Sequence, residues 1–281
     1  MVNFNGTLHD TSSNLLSLEN RGYAYGDALF ETLKVVHGKV LFWEDHYFRL
    51  MSSMRILRME IPMNFTMEFL ESEILKTVEA NALMQASARV RINVNREAEG
   101  KYRPSTNAIG YNMLTEKLAS DFYVLNNAPY TVELFKDFYV APGLLSTLKT
   151  NNKSINVLGS IFAKENNFDN CLLLNTDKTV IEALNGNIFL VKDRVIKTPP
   201  LSEGCLKGIM RKQIIELVEK LEGYTLDEAP ISPFELQKAD ELFITNAIVG
   251  IQPITKYRKK EFTTAVSKLL LEKLNIKIRL S

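Results

Sequence analysis

An α+β protein built in two blocks is what this 281-residue sequence predicts. Three observations carry that expectation. Strand-like runs follow one another with hairpin turn signals between them, as antiparallel pairs do. Helical periods fall in two separate blocks, without the regular strand–helix alternation of a doubly wound sheet. The length also exceeds one ordinary domain, so a smaller N-terminal and a larger C-terminal domain are expected.

Taken in order, residues 2–8 read as a short strand around Asn5-Gly6, a hairpin-type turn signal. After a polar stretch, LFETLKVVHGKVLFW (29–43) reads as two strands joined at His37-Gly38. In 44–60 the apolar residues Tyr47, Leu50, Met51, Met54 and Leu57 recur with a helical period. A second helix is expected over 66–83. In RVRINV (89–94) Val90, Ile92 and Val94 alternate with Arg89, Arg91 and Asn93, the period of a half-exposed strand. The first domain is therefore placed at 1–115, a linker at 116–130 and the larger domain at 131–281.

In that second block a strand (131–140), an irregular loop (PGLLSTLKTNN) and a helix (154–167) come first. Strands follow at 171–175, 188–191 and 194–198, then a helix over 208–222 and a strand near 224–228. Ser232-Pro233-Phe234-Glu235 is a capping box with proline at the first helical position. ELFIT (241–245) reads as a buried strand and 261–273 as the last helix.

Composition removes several classes of function. With 34 basic and 33 acidic side chains the net charge is +1, which leaves no electrostatic footprint for nucleic acid. Cys171 and Cys205 are too few for a disulfide framework and lack metal spacing. His9, His37 and His46 are scattered, so no metal centre is expected. No apolar run reaches membrane length, and MVNFNGTLHD lacks a signal-peptide pattern. A cytoplasmic protein is the default expectation.

Chemistry concentrates in EALNGNIFLVKDRVIKTPPLSEGCLKGIMR (182–211). Glu182 is a lone acid beside a turn of small residues, able to hold a protonated ring nitrogen. Gly208-Ile209-Met210 opens an amphipathic helix whose free N–H groups and dipole favour a phosphate. Arg49 lies one helical turn after His46, and its fork matches phosphate oxygens. Each residue alone is more often structural: a solvated strand-end acid, a turn glycine, a surface arginine. Lys149 and Lys153, four residues apart in LKTNNKS, are both candidates for a Schiff base. Neither wins on residue physics alone.

Six strings in order resemble the class IV aminotransferases, the fold-type IV pyridoxal-phosphate enzymes. They are RGYAYGDALFET (21–32), HYFRL (46–50), the lysine region, VIEALNGNIF (180–189), TPPLSEGCLKGIMR (198–211) and ADELFITNA (239–247). The first and last look most like the D-amino-acid aminotransferase and aminodeoxychorismate lyase branches. Ala28 stands where many relatives have glycine.

This resemblance implies pyridoxal 5′-phosphate as cofactor, bound mainly by the larger domain. Arg49, Ile209, Met210, Asn246 and Ala247 would hold its phosphate, with Gly208 and Asn187 beside them, and Glu182 its ring nitrogen. It favours Lys149 for the Schiff base, because 169 − 149 = 20 residues to Asp169 needs no gap, and Asn152 then also matches. Lys153 is the alternative, requiring a four-residue deletion. Tyr25, Phe30, Arg91 and Lys101 are implied as substrate contacts, with Arg96 and Arg103 as further cations. An aminotransferase acting on an amino acid and a 2-keto acid is expected. The alternative is a lyase that releases pyruvate and 4-aminobenzoate, and the remote one a non-catalytic relative. The resemblance also implies a homodimer.

Overall fold

Asn5 and Gly6 both adopt left-handed backbone, φ 48° and 85°, between β1 (Val2–Phe4) and β2 (Thr7–His9). Two consecutive positive φ values match the twist of a two-residue hairpin. The computed structural model describes residues 1–280. Asn20 caps a short helix absent from the sequence expectation, α1 (Arg21–Tyr25). The hairpin device recurs at His37-Gly38, between β3 (Ala28–Val36) and β4 (Lys39–Val40). This second strand stops well short of residue 43. Phe42 turns left-handed (φ 54°) and α2 (Trp43–Ile56) begins.

Thr66 caps α3 (Met67–Ala80), its Oγ1 accepting the Phe69 N–H at 3.2 Å. The helix ends before the expected 83 because Ala82 is left-handed, φ 57°. Then β5 (Ser87–Arg96) and β6 (Ile109–Lys117) complete a six-stranded sheet, ordered β2-β1-β6-β5-β3-β4 and antiparallel throughout. Leu50, Met51 and Met54 of α2 and Leu70, Ile74 and Val78 of α3 join Leu33, Val90 and Ile92 in one core. The alternation read from RVRINV holds: Val90, Ile92 and Val94 are buried, whereas Arg89, Arg91 and Asn93 are half-buried.

The chain divides into two units, Met1–Asp121 with Leu148–Asn152, and Phe122–Thr147 with the residues from Lys153 on. Two corrections to the expected domain limits follow. Residues 116 and 117 are β6 rather than linker. The second unit is not continuous from 131, because 148–152 pairs with β3. Phe30 N donates to Lys149 O (2.9 Å), Asn151 N donates to Ala28 O (3.0 Å), and Leu29 bridges Thr150.

The second unit runs β7 (Thr131–Val140), α4 (Ser154–Glu165), β8 (Asn170–Asn175), β9 (Val180–Ala183), β10 (Gly186–Lys192) and β11 (Val195–Thr198). It continues α5 (Ile209–Val218), β12 (Thr225–Glu228), α6 (Pro233–Leu236), β13 (Glu241–Asn246) and β14 (Gly250–Ile254). β15 (Lys256–Tyr257), β16 (Lys260–Glu261) and α7 (Ala265–Leu280) close it. The sheet order is β12-β11-β10-β9-β8-β7-β15-β16, with β13 also on β10 and β14 on β13.

Here too the elements differ from expectation at their margins. β9 occupies a stretch read as turn, and α5 ends at Val218 rather than 222. A two-strand hairpin takes 256–261, so the last helix starts at Ala265 instead of 261. Ser232 and Glu235 do form the reciprocal capping box, on a helix of only four residues. Val132, Leu172, Ile188 and Leu242 pack on one side of the sheet. Phe135, Ala163, Cys171, Leu173 and Ile181 pack on the other, with Ile155 and Phe162 of α4 against them.

Candidate active site

Glu182 stands on β9 opposite Leu173 of β8, so both side chains emerge on the side of the sheet that α4 covers. One carboxylate oxygen accepts the Leu206 N–H at 2.9 Å. That bond fixes the loop between β11 and α5 to the acid. The neighbouring Cys205 thiol is pushed up to about 12, chiefly by burial, with Glu182 adding to the rise. It stays neutral at ordinary pH.

From Leu206 the chain turns into α5 at Gly208. Asn187 of β10 donates to Leu206 O at 2.8 Å and holds the turn. A Cβ on Gly208 would meet Asn187 Oδ1 at 2.0 Å, so no other residue fits without displacing that support. The glycine therefore has a packing reason, and its φ of −71° is ordinary. Ile209 and Met210 open α5, where first-turn N–H groups have no acceptor within the helix.

Asn246 ends β13 in a tight turn. Its Oδ1 accepts from Ile248 N (3.0 Å) and Val249 N (2.9 Å), and its Nδ2 donates to Asn185 O (3.2 Å). Ala247 O accepts the Tyr123 hydroxyl at 2.9 Å. Side chains thus shape this turn.

In the first unit Arg49 is buried on α2 and locked to Glu31 of β3. Nε donates to Oε1 at 2.7 Å and Nη2 to Oε2 at 2.5 Å. His46 Nδ1 meets Oε2 at 2.7 Å. Burial alone would raise the Glu31 pKa, but Arg49 and His46 outweigh it and bring it to about 2. His46 is lowered, first by burial, with the Arg49 and Lys149 charges helping and Glu31 opposing. Its buried Nε2 has no hydrogen-bond partner. Sequence reasoning missed Glu31, whose tie to Arg49 spans 18 residues and two elements.

The two lysines have different surroundings. Lys149, held by its backbone on β3, puts Nζ 4.4 Å from the centre of the Phe30 ring and its charge beside His46. Lys153 precedes α4 and its amine pKa is lowered by burial, against a raising pull from Glu182.

Among the substrate candidates, Arg91 lies over the Phe30 ring at 4.2 Å and donates from Nε to Asn93 Oδ1 at 2.8 Å. Arg91 and Asn93 line a cavity of about 600 Å³ with Asn95, Asn112 and Asn151. Tyr25 is exposed, its ring 4.9 Å from the Arg21 guanidinium. Lys101 has an exposed side chain, and it is its carbonyl that accepts from Arg21, at 2.6 Å. Arg96 is spoken for: it binds Asp27, Asn107 and the carbonyls of Leu57 and Arg58. It ties loops together, which removes it from the spare cations. Arg103 is exposed.

Residues 28–257 match the family model described as amino-transferase class IV. A Methanocaldococcus jannaschii relative, provisionally named a branched-chain-amino-acid aminotransferase, is 30% identical over 264 residues, covering 90% of this chain and 86% of its own. A D-alanine aminotransferase of Bacillus licheniformis is 25% identical, with coverage of 90% and 87%. An aminodeoxychorismate lyase of Vibrio harveyi is 26% identical, with coverage of 85% and 86%. In fold, the chain resembles the branched-chain aminotransferase of the archaeon Thermoproteus uzoniensis, solved with norvaline, at a TM-score of 0.87, 23% identity and coverage of 97% and 92%. The match over most of the chain makes this protein a member of the class IV aminotransferase family.

Proposed function

We propose that the protein is a pyridoxal-phosphate-dependent aminotransferase that moves an α-amino group from an amino acid to a 2-keto acid. The residues present fit that cofactor. A strand acid is fixed by a backbone N–H, a helix start is kept open by a glycine that no Cβ could replace, and a lysine is carried on a paired backbone. When bound, pyridoxal phosphate supplies an electron sink for the charge left on the substrate's α-carbon.

Glu182 would hold a proton on the ring nitrogen, with the Leu206 N–H fixing its carboxylate. The first-turn N–H groups at Ile209 and Met210 would bind phosphate oxygens. Arg49 is the guanidinium proposed to bind phosphate. The Asn246-Ala247 backbone would serve the phosphate too, and Asn187 would serve it by holding the turn before Gly208. Lys149 would hold the cofactor through Nζ and would carry the proton to and from the substrate's Cα. Its support is the backbone pairing to β3. Lys153 is the second reading for this role, supported by the burial of its amine.

Arg91 is proposed to meet the substrate carboxylate and Phe30 to pack on its body. Tyr25 and Lys101 are weaker candidates because their side chains are exposed. No helix among the described residues is long and apolar enough to cross a membrane. A cytoplasmic homodimer is the proposed form, its dimeric state checked by light scattering of the purified protein.

The carrying observation is the pairing of a fixed Glu182 with the glycine-opened start of α5. A substrate screen tests the function. Holoenzyme given one amino acid without acceptor should release one equivalent of keto acid and then stop. Continuous pyruvate release from aminodeoxychorismate would establish the lyase reading instead.

A further inference from the structure

We infer that Lys153 is a positioning residue for Glu182, its ammonium group supplying counter-charge to that carboxylate from the N-terminus of α4. The inference rests on the proposed role of Glu182 at the ring nitrogen.

The sheet register first brings the two together. Glu182 pairs with Leu173, and Leu173 belongs to the cluster on which α4 lies. Two contacts then latch the first turns of α4 beside the acid. Asn156 Nδ2 donates to Leu184 O, two residues beyond Glu182, at 2.7 Å. Gly159 lets the helix approach so closely that a Cβ there would meet Leu184 Cδ2 at 2.4 Å. Lys153, the residue just before α4, is thereby delivered to the side of the sheet where Glu182 emerges. Its charge acts on Glu182, and its amine is buried there.

A carboxylate shielded from water and lacking a counter-charge takes up a proton, and a protonated Glu182 could not retain a proton on a ring nitrogen. Leu206 N–H and Lys153 both favour its ionised form. Cys205, a titratable neighbour, stays neutral, and the charges beside it, Arg211 and Glu228, are paired with each other. The Lys153 side chain makes no capping hydrogen bond to α4, so its removal leaves the helix start intact.

The test compares full-length wild type, Lys153→Met and Lys153→Arg in titrations with pyridoxal phosphate, read by absorbance over a pH series. Lys153→Met should bind about tenfold more weakly at neutral pH, with the acid midpoint of binding raised by about one unit. Lys153→Arg should bind within a factor of about three of wild type, since it keeps the charge. Wild-type affinity and midpoint in Lys153→Met would overturn the inference. So would Lys153→Arg as weak as Lys153→Met, or cofactor recovered covalently on Lys153. If wild type itself binds no pyridoxal phosphate, the reading of the site fails, and that result is separable from the others.

Discussion

Arg49 and Glu31 are joined by two parallel hydrogen bonds, Nε to Oε1 and Nη2 to Oε2, with both side chains buried. The acid thus fixes the plane of the guanidinium before any ligand arrives. Glu31→Gln would leave a buried cation without its counter-charge. A loss of about 3–5 kcal/mol of stability is expected, as for other broken buried pairs. Urea unfolding of Glu31→Gln against wild type measures it, and a loss below about 1 kcal/mol would refute the role.

The same pair sets a pH dependence. Glu31 titrates near 2 in the folded protein against 4.5 as its ordinary value. A lowered carboxylate contributes stability that is fully present above the ordinary value and is lost as pH falls through the folded one. His46, lowered by burial, acts in the same sense below its ordinary 6.5, because the unfolded chain binds that proton first. Stability should therefore decline from about pH 6 downward and steeply between about 4.5 and 2. Glu31→Gln should flatten the lower part of that curve in acid-unfolding experiments.

Gly208→Ala puts a methyl group 2.0 Å from Asn187 Oδ1. Cofactor affinity should fall roughly tenfold or more through a displaced helix start, while unfolding changes by only about 1–3 kcal/mol, the range for overpacking. Adding Asn187→Ala removes the clash but also the Leu206 support. The double variant should then recover stability relative to Gly208→Ala, yet stay weak in binding.

Arg91→Met keeps the packing on Phe30 and removes the charge. The KM for the amino acid should rise about ten- to hundredfold, the effect of one lost charged hydrogen bond, with kcat changed less. Steady-state kinetics decide it. An unchanged KM would return Arg91 to a purely structural place beside Asn93.

Much of the fold was legible because its signals are local. Asn5-Gly6 and His37-Gly38 announce their hairpins through left-handed backbone, and Val90, Ile92 and Val94 announce a strand by period alone. What escaped depends on contacts distant in sequence. Leu148–Asn152 looks like loop, and only its pairing to β3 assigns it to the first unit. β9 is four residues long and is defined by β8 and β10 on either side. In the site, Glu182 and Gly208 were readable from their small-residue surroundings. The mate of Arg49 was not, since Glu31 lies 18 residues away on another element.

A lysine ahead of α4 is proposed to bind the cofactor covalently. Wild-type protein loaded with pyridoxal phosphate, reduced with borohydride and digested should yield one modified peptide, carrying the label on Lys149. Label on Lys153 would move the bond by four residues and leave the rest of the site standing. A protein that stays colourless with excess cofactor, and gives no modified peptide, would contradict the account.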